Sequence, residues 1–288
     1  MRKVAIVTDS TASVPSELKK QYGIATVPLL LHLDNKTYRD AVDIKTPTEL
    51  FQLVDKASRF PTTAAPAPGE YAGVYRHLSR RADGIVTLTI SSVLSATFTS
   101  ATQARKAVKD ELPHVNIEVF DSKSSVGGLG LMVLAAAQAA ASGQDMAAVV
   151  KAAEKVKSRI IHLYIFDTLS YLARSGRISK AAAMAGNMLG MKPITEMPTS
   201  LGKPVVVARP RTKKKAVRVL LDMVRERIKP DSSLYVMVEH VCAPEEAERL
   251  KGIVLEQFNC AEVLVCEYNP IASLIVGPGV VGLSCYQG

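Results

Sequence analysis

A two-domain α/β architecture, in which a parallel sheet with flanking helices is followed by a second α/β domain, is what this sequence predicts. Three observations predict it. Hydrophobic runs rich in β-branched residues alternate with helical patterns through the first half of the chain. Three of those runs end in a cluster of small hydroxyl residues. The 288 residues, 48% of them hydrophobic, exceed the usual size of one compact domain. Strands that alternate with helices need crossover connections, which is the pattern of a parallel sheet.

Residues 4–8 form the first strand, which runs into Asp9-Ser10-Thr11 and then a helix near 15–22. Residues 85–90 form the next, ending in Ser91-Ser92-Val93-Leu94-Ser95 and a helix through 108. Residues 117–120 lead into Asp121-Ser122-Lys123-Ser124-Ser125 and an alanine-rich helix to 141. Between the first two units, 37–69 reads as a small insert whose prolines, Pro47, Pro61, Pro66 and Pro68, deny regular structure until it ends in an ordered loop. The character changes near residue 160. A strand is expected at 160–166, helices from Thr168 and near 178–190, a strand at 204–208, and a helix at 214–228. A strand at 233–238, a helix at 244–257 and closing strands at 263–267 and 280–285 complete the chain. The domains are accordingly 1–158, with the insert near 37–69, and 159–288.

The chain carries 36 Lys+Arg against 27 Asp+Glu, a net charge of +9. Such an excess attracts nucleic acid, anionic lipid surfaces or phosphorylated ligands, and charge alone does not choose among them. Nucleic acid is disfavoured because aromatics are only 5% of the chain, tryptophan is absent, and none interleave with the basic stretch 209–215. Cys242, Cys260, Cys266 and Cys285 show neither a CxxC spacing nor companion histidines, so no metal is expected and they read as reduced, buried thiols. The opening Met1-Arg2-Lys3 and the apolar residues after it imitate a signal peptide until Asp9 and Ser10 cut the run. The longest apolar stretch, 129–141, is broken by Gly130 and Gln138 and falls short of the roughly 20 residues of a membrane-spanning helix. A cytoplasmic protein follows, with transient contact at a membrane surface as the most its charge implies.

In an open parallel sheet a ligand sits beyond the carboxyl ends of the strands, which is where the hydroxyl clusters fall. Ser91, Ser92, Ser95 and Thr97 stand before a helix, where free N–H groups and hydroxyl donors converge on an anion; simple N-capping is the competing explanation. Asp9-Ser10 and Asp121-Ser122 suggest instead a small-molecule hydrolase or kinase using Asp9 or Asp121. The parts such an enzyme needs are absent, with no G-x-S-x-G and no G-x-x-x-x-G-K-[ST]. His32, His77, His114, His162 and His240 lie in no evident motif and read as surface or satisfied core residues. The stretch Arg209-Pro210-Arg211-Thr212-Lys213-Lys214-Lys215 opens a helix, so its charges oppose the helix dipole unless they form a solvated face or meet a phosphate. Met184, Met188 and Met191 recur at helical spacing, as core packing or as a lining that adapts to a hydrocarbon.

In order and spacing these segments resemble the DegV family along nearly the whole chain. The resemblance is carried by Asp9-Ser10-Thr11, by the loop from Pro61-Thr62-Thr63 to Gly69-Glu70, by Ser91 through Thr97, and by Asp121 through Ser125 with Gly128-Leu129-Gly130. Asp167 through Ile178, Lys192-Pro193-Ile194 and Gly277-Pro278-Gly279 extend it. It implies a protein that encloses one long-chain fatty acid between its two domains, needs no cofactor, and serves as the binding subunit of a fatty-acid kinase in phospholipid metabolism. ATP and catalysis then belong to a separate kinase subunit. By the same resemblance Thr63 and Ser95 hold the carboxylate, Ala96, Ile275 and Gly277 belong to the ligand site, and Arg177 and Arg211 meet the acyl phosphate or the partner. This chain departs from the family pattern at Ala64 and Ala65, where a Ser-Gln pair is usual, and at Ile275, where a histidine is common. Either the carboxylate leans harder on Thr63, Ser95 and backbone N–H groups, or the ligand is held differently.

Overall fold

The computed structural model of the chain describes residues 4–178, 190–229 and 232–288. Val4–Asp9 (β1) and Gly84–Thr89 (β6) are short runs buried almost throughout, as strands covered on both faces must be, and Asn116–Asp121 (β7), at the sheet edge, is buried at Ile117, Val119 and Phe120. They pair in parallel, and Ala25–Val27 (β2) completes the order β2-β1-β6-β7. Ser16–Tyr22 (α1) connects β1 to β2. Pro68–Ser79 (α3) and Thr97–Ala107 (α4) cover one face through Tyr71, Tyr75, Leu78, Ala101 and Ala104. On the other lie Val126–Ala141 (α5) and Met146–Lys157 (α6).

The alanine-rich α5 is apolar all round because it is covered all round. It packs against β1 and β6 on one side and against the second sheet on the other, so one core cluster joins Ile6 and Leu88 to Met237 and Tyr286. Its glycines admit those neighbours: a Cβ on Gly130 would strike the Ser13 backbone, and one on Gly127 would strike the Glu239 carboxylate.

The insert is more ordered than its prolines imply. Leu30–Leu33 (β3), Lys36–Arg39 (β4) and Thr62–Ala64 (β5) form an antiparallel sheet in the order β4-β3-β5 that starts ahead of the expected residue 37. Pro47 opens the helix Pro47–Val54 (α2) instead of preventing it, since a proline at the first helical position gives up an N–H that had no partner anyway. Thr46 caps that helix by accepting from Glu49 N at 3.2 Å, and the Glu49 carboxylate accepts from Thr46 N at 3.3 Å. Pro68 opens α3 in the same way. Asp40 ties the insert to both domains, accepting from the Ser10 hydroxyl at 2.7 Å and from Ile271 N at 3.0 Å.

The second domain holds a six-stranded sheet. Ile161–Ile165 (β8), Ile194–Glu196 (β9), Val205–Ala208 (β10), Leu234–His240 (β11), Cys260–Glu267 (β12) and Val281–Gln287 (β13) run β10-β9-β8-β13-β11-β12. Only β11 and β12 are parallel; the other pairs are antiparallel. Lys213–Arg225 (α8) and Pro244–Gln257 (α9) cover the outer face. Ser170–Ser175 (α7) and Pro270–Val276 (α10) lie on the inner side, with α10 against α2 and α7. The helix expected near 178–190, with Met184 and Met188, lies outside the described residues; Met191 is half-buried in an irregular segment. Short or glycine-bearing elements, α3, β9 and α10 among them, escaped the hydrophobic pattern, and so did the longer α6. The cysteines are free thiols as expected, but only Cys266 and Cys285 are buried, and Cys242 is exposed.

Candidate functional site

A cavity of about 300 Å³ lies where the carboxyl ends of β1 and β6 face the second sheet. The first domain contributes Thr11, Leu29, residues 63–65 of β5 and its continuation, Ile90, residues 94–96 ahead of α4, and Ser125 with Val126 at the start of α5. From the second come His162 and Tyr164 on β8 and Phe166 just after it, with Leu172, Arg177, Thr195, Met197, Pro204 and Tyr268. Ile271, Ala272, Ile275 and Val276 of α10 close it. Most of this wall is apolar, as ligand cavities of this kind are, with a few polar groups that fix orientation.

Exposure separates an open side from a closed one. Thr63, Ser95 and Arg177 are half-buried and Ala96 is exposed, whereas His162 and Thr195 are each only 1% exposed. On the open side the Ser95 hydroxyl lies 2.8 Å from Thr97 Oγ1, just before α4, whose N-cap residue Ala96 supplies no side-chain cap. Arg177 follows Gly176, which ends α7 in the left-handed region at φ 76°. Its Nη1 donates to Ser175 O at 2.5 Å, and its Nη2 reaches Thr63 Oγ1 at 3.5 Å. No carboxylate pairs with Arg177 among the described residues, and burial pulls its pKa below the usual arginine value. A cation so placed is available to an anion arriving from outside.

Thr63, Ser95, Ala96, Arg177 and Ile275 are thus brought to one cavity; Gly277 and Arg211 are not. Gly277, at φ 88°, ends α10 behind the wall, where the Tyr171 ring fills the space that a side chain would need. Arg211 is exposed outside the cavity. Two residues on, Lys213 donates to Gly279 O at 2.9 Å and pairs with Asp167 and Glu246, so this part of the basic stretch is neutralised and pinned to the 277–279 loop.

Most of the strand-end hydroxyls serve the loops and not the cavity. Ser91 donates to Gly202 O at 2.6 Å, Ser92 accepts from Lys123 Nζ at 2.8 Å, Ser122 donates to Ser124 O at 3.1 Å, and Thr97 is fully buried. The two aspartates are hubs of the same kind. Asp9 accepts from Ile90 N at 2.7 Å and from the Thr11 backbone and hydroxyl, and burial raises its pKa despite those bonds. Burial would raise Asp121 too, but bonds from Ser92 and Lys123 outweigh it and lower the pKa. Neither aspartate lines the cavity, which leaves the hydrolase or kinase expectation without its residues.

His162 is the site residue that the sequence hides. It belongs to no motif, and only its place on β8, with Tyr164 and Phe166 at the strand period, puts it on the wall. Its Nδ1 lies 3.1 Å from Ser124 Oγ, and burial pushes its pKa down to about 3, so the ring is neutral. Tyr164 donates to Glu239 at 2.5 Å, whose carboxyl burial raises to about 7. Among the described residues no helix is long and apolar enough to cross a membrane, and no cluster of His, Cys, Asp or Glu is arranged to hold a metal.

A family model described as uncharacterised protein, DegV family, matches residues 3–288. A DegV domain-containing protein of Mycobacterium tuberculosis is 35% identical over 283 residues, which cover 97% of this chain and 96% of that one. One from Listeria innocua is 29% identical over 98% of both chains. Among solved structures, a DegV family protein from Thermus thermophilus, described by its fatty acid binding, superposes with a TM-score of 0.91 at 32% identity, with both chains fully covered. DegV of Bacillus subtilis, described as a fatty acid binding protein, superposes with a TM-score of 0.86 at 28% identity, again with both chains fully covered.

Proposed function

The chain belongs to the DegV family, and from that premise we propose that it holds one long-chain fatty acid in the cavity between its domains and presents the carboxylate to a separate ATP-dependent kinase subunit. The observation that carries the reading is Arg177: a half-buried cation with no acidic partner among the described residues, beside the Thr63 hydroxyl at the open side of an apolar cavity. Relatives described as fatty acid binding share the fold over their full length. In this reading the domain boundary falls between residues 158 and 159, Ser95 joins Thr63 on the carboxylate, Ala96 and Ile275 frame the head, and Gly277 supports them from behind the wall. The protein works in the cytoplasm without a cofactor and without catalysis of its own.

The energetics divide between tail and head. Each methylene taken from water contributes about 0.8 kcal/mol, so around 15 of them supply on the order of 12 kcal/mol before association costs are subtracted. A buried carboxylate is expensive to desolvate, and hydrogen bonds to it return roughly 1.5–3 kcal/mol each, so the head sets register more than affinity. With the carboxylate on the open side, a partner reaches it without unfolding the cavity. Arg177 then meets the developing acyl phosphate, and exposed Arg211 meets the partner beside the 277–279 loop. The net charge of +9 assists brief contact with an anionic membrane during lipid exchange.

Organic extraction of the purified chain followed by mass spectrometry tests the binding step. A long-chain fatty acid near one equivalent is expected. Recovery of none, together with no heat of binding when a fatty acid is titrated into the protein, overturns the reading. The presentation step is tested by adding the kinase subunit and ATP and trapping the acyl phosphate with hydroxylamine.

A further inference from the structure

A cavity built for a plain hydrocarbon tail needs only apolar side chains on its sheet wall, and this wall also carries His162 and Thr195. On the sheet wall three rows succeed one another. Phe166 stands nearest Leu172 and α10 in one apolar cluster. Tyr164 is next, paired in register with Thr195 on β9. His162 follows, and its carbonyl accepts from Met197 N. Because β8 and β9 are antiparallel partners, Thr195 projects from the same face as Tyr164, and the wall grows more polar from Phe166 to His162.

Two hydrogen-bonding groups on this wall, Thr195 in the Tyr164 row and His162 in the next, have no complete set of partners among the described residues. His162 is 1% exposed, its Nδ1 is taken by Ser124 at 3.1 Å, and its Nε2 finds no partner among the described residues. Thr195 is 1% exposed, and its hydroxyl finds none there either. Both residues line the cavity. Buried polar groups are almost always paired, so two that open onto the same cavity mark a place where a ligand atom belongs. Tyr164 does not compete for it, since its hydroxyl is committed to Glu239 and Ser284.

Resting on the fatty-acid reading above, we propose that this stretch of the cavity wall is a hydroxyl-recognition site, in which His162 and Thr195 bind a long-chain fatty acid that carries a hydroxyl group along its chain. A hydroxyl fits better than a ketone. If Ser124 donates to Nδ1, Nε2 carries the proton and donates; if Nδ1 donates to Ser124, Nε2 accepts. An alcohol serves either tautomer and completes Thr195 with its remaining capacity, whereas a carbonyl serves one tautomer alone. A saturated chain pressed into the same place strips water from both groups and returns nothing.

The test uses delipidated full-length protein, titrated by calorimetry with stearate and with a positional series of monohydroxystearates. At least one isomer should bind about tenfold more tightly than stearate, the discrimination that one buried hydrogen-bonding pair supports. The double variant His162→Phe, Thr195→Val should lose that preference, binding stearate at least as tightly as any hydroxy isomer. Stearate binding as tightly as every hydroxy isomer in the unaltered protein overturns the proposal and leaves fatty-acid binding standing. Persistence of the preference in the double variant overturns the assignment to these two residues. If neither stearate nor any isomer binds, the fatty-acid reading itself fails and takes this inference with it.

Discussion

The guanidinium of Arg177 meets the hydroxyl of Thr63 across 114 residues of sequence, Nη2 to Oγ1 at 3.5 Å. That distance is at the limit of a hydrogen bond, so the pair is poorly satisfied as it stands and gains when a carboxylate arrives between them. Arg177→Met, which keeps the apolar stem and removes the charge, should weaken fatty-acid binding by about 1–3 kcal/mol, with Arg177→Lys intermediate. Calorimetry decides it. An unchanged Kd in the methionine variant would remove Arg177 from the head-group site.

Ser95 poses a milder case. Its oxygen accepts from Thr97 N at 3.3 Å and lies 2.8 Å from the Thr97 hydroxyl, so Ser95→Ala loses a ligand donor and a local turn contact together. The turn contact is worth about 0.5–1.5 kcal/mol, too little to unfold the chain. Affinity for a long-chain fatty acid should fall by about 1–3 kcal/mol while the circular dichroism spectrum is unchanged. Full retention of affinity would show that Thr63 and Arg177 hold the carboxylate without Ser95.

Arg211 separates binding from presentation, because it is exposed and outside the cavity. Arg211→Ala should leave the fatty-acid Kd within twofold and slow acyl-phosphate formation by the kinase subunit, roughly tenfold if one charged contact to the partner is lost. A loss of lipid binding instead would place Arg211 in the site after all.

How much of this was legible in the sequence follows from how each element is covered. β1 and β6 are buried on both faces and therefore spell nearly continuous apolar runs, and edge strand β7 keeps enough of that pattern at Ile117, Val119 and Phe120 to be read. α8 and α9 have one wet face and spell the helical period. The insert did not declare itself, because β4 is mostly exposed, β5 has three residues, and Pro47 acts as a helix start where a proline more often reads as a break. In the site, Ser95 stood out as a hydroxyl ahead of a helix, whereas Thr63 was reached through family resemblance, since a Thr in a loop has no chemical signature of its own. His162 and Thr195 were not reached at all. They belong to different strands and meet the cavity only through an antiparallel register that the intervening chain does not encode in any local pattern.

Glu239 gives the last prediction, which concerns stability. Its side chain is fully buried between α5 and the second sheet, Oε2 accepts from Tyr164 at 2.5 Å and Ser284 at 3.1 Å, and Oε1 has no partner among the described residues. Burial, only partly offset by those bonds, raises its pKa from 4.5 to about 7. Between those two values the folded chain holds a proton that the unfolded chain has released, so the contribution of Glu239 to stability is complete below pH 4.5 and declines until pH 7. Glu239→Gln stays neutral throughout. Its stability relative to the unaltered protein should therefore rise across that window by about 3 kcal/mol at most, at about 1.36 kcal/mol per unit of pH. Asp40 and His162, whose burial also shifts their titration, are the same in both proteins and cancel in the difference. Urea denaturation of both proteins at pH 4.5 and pH 8 measures it, and a difference that does not change with pH would mean that the Glu239 carboxyl titrates as it does in water.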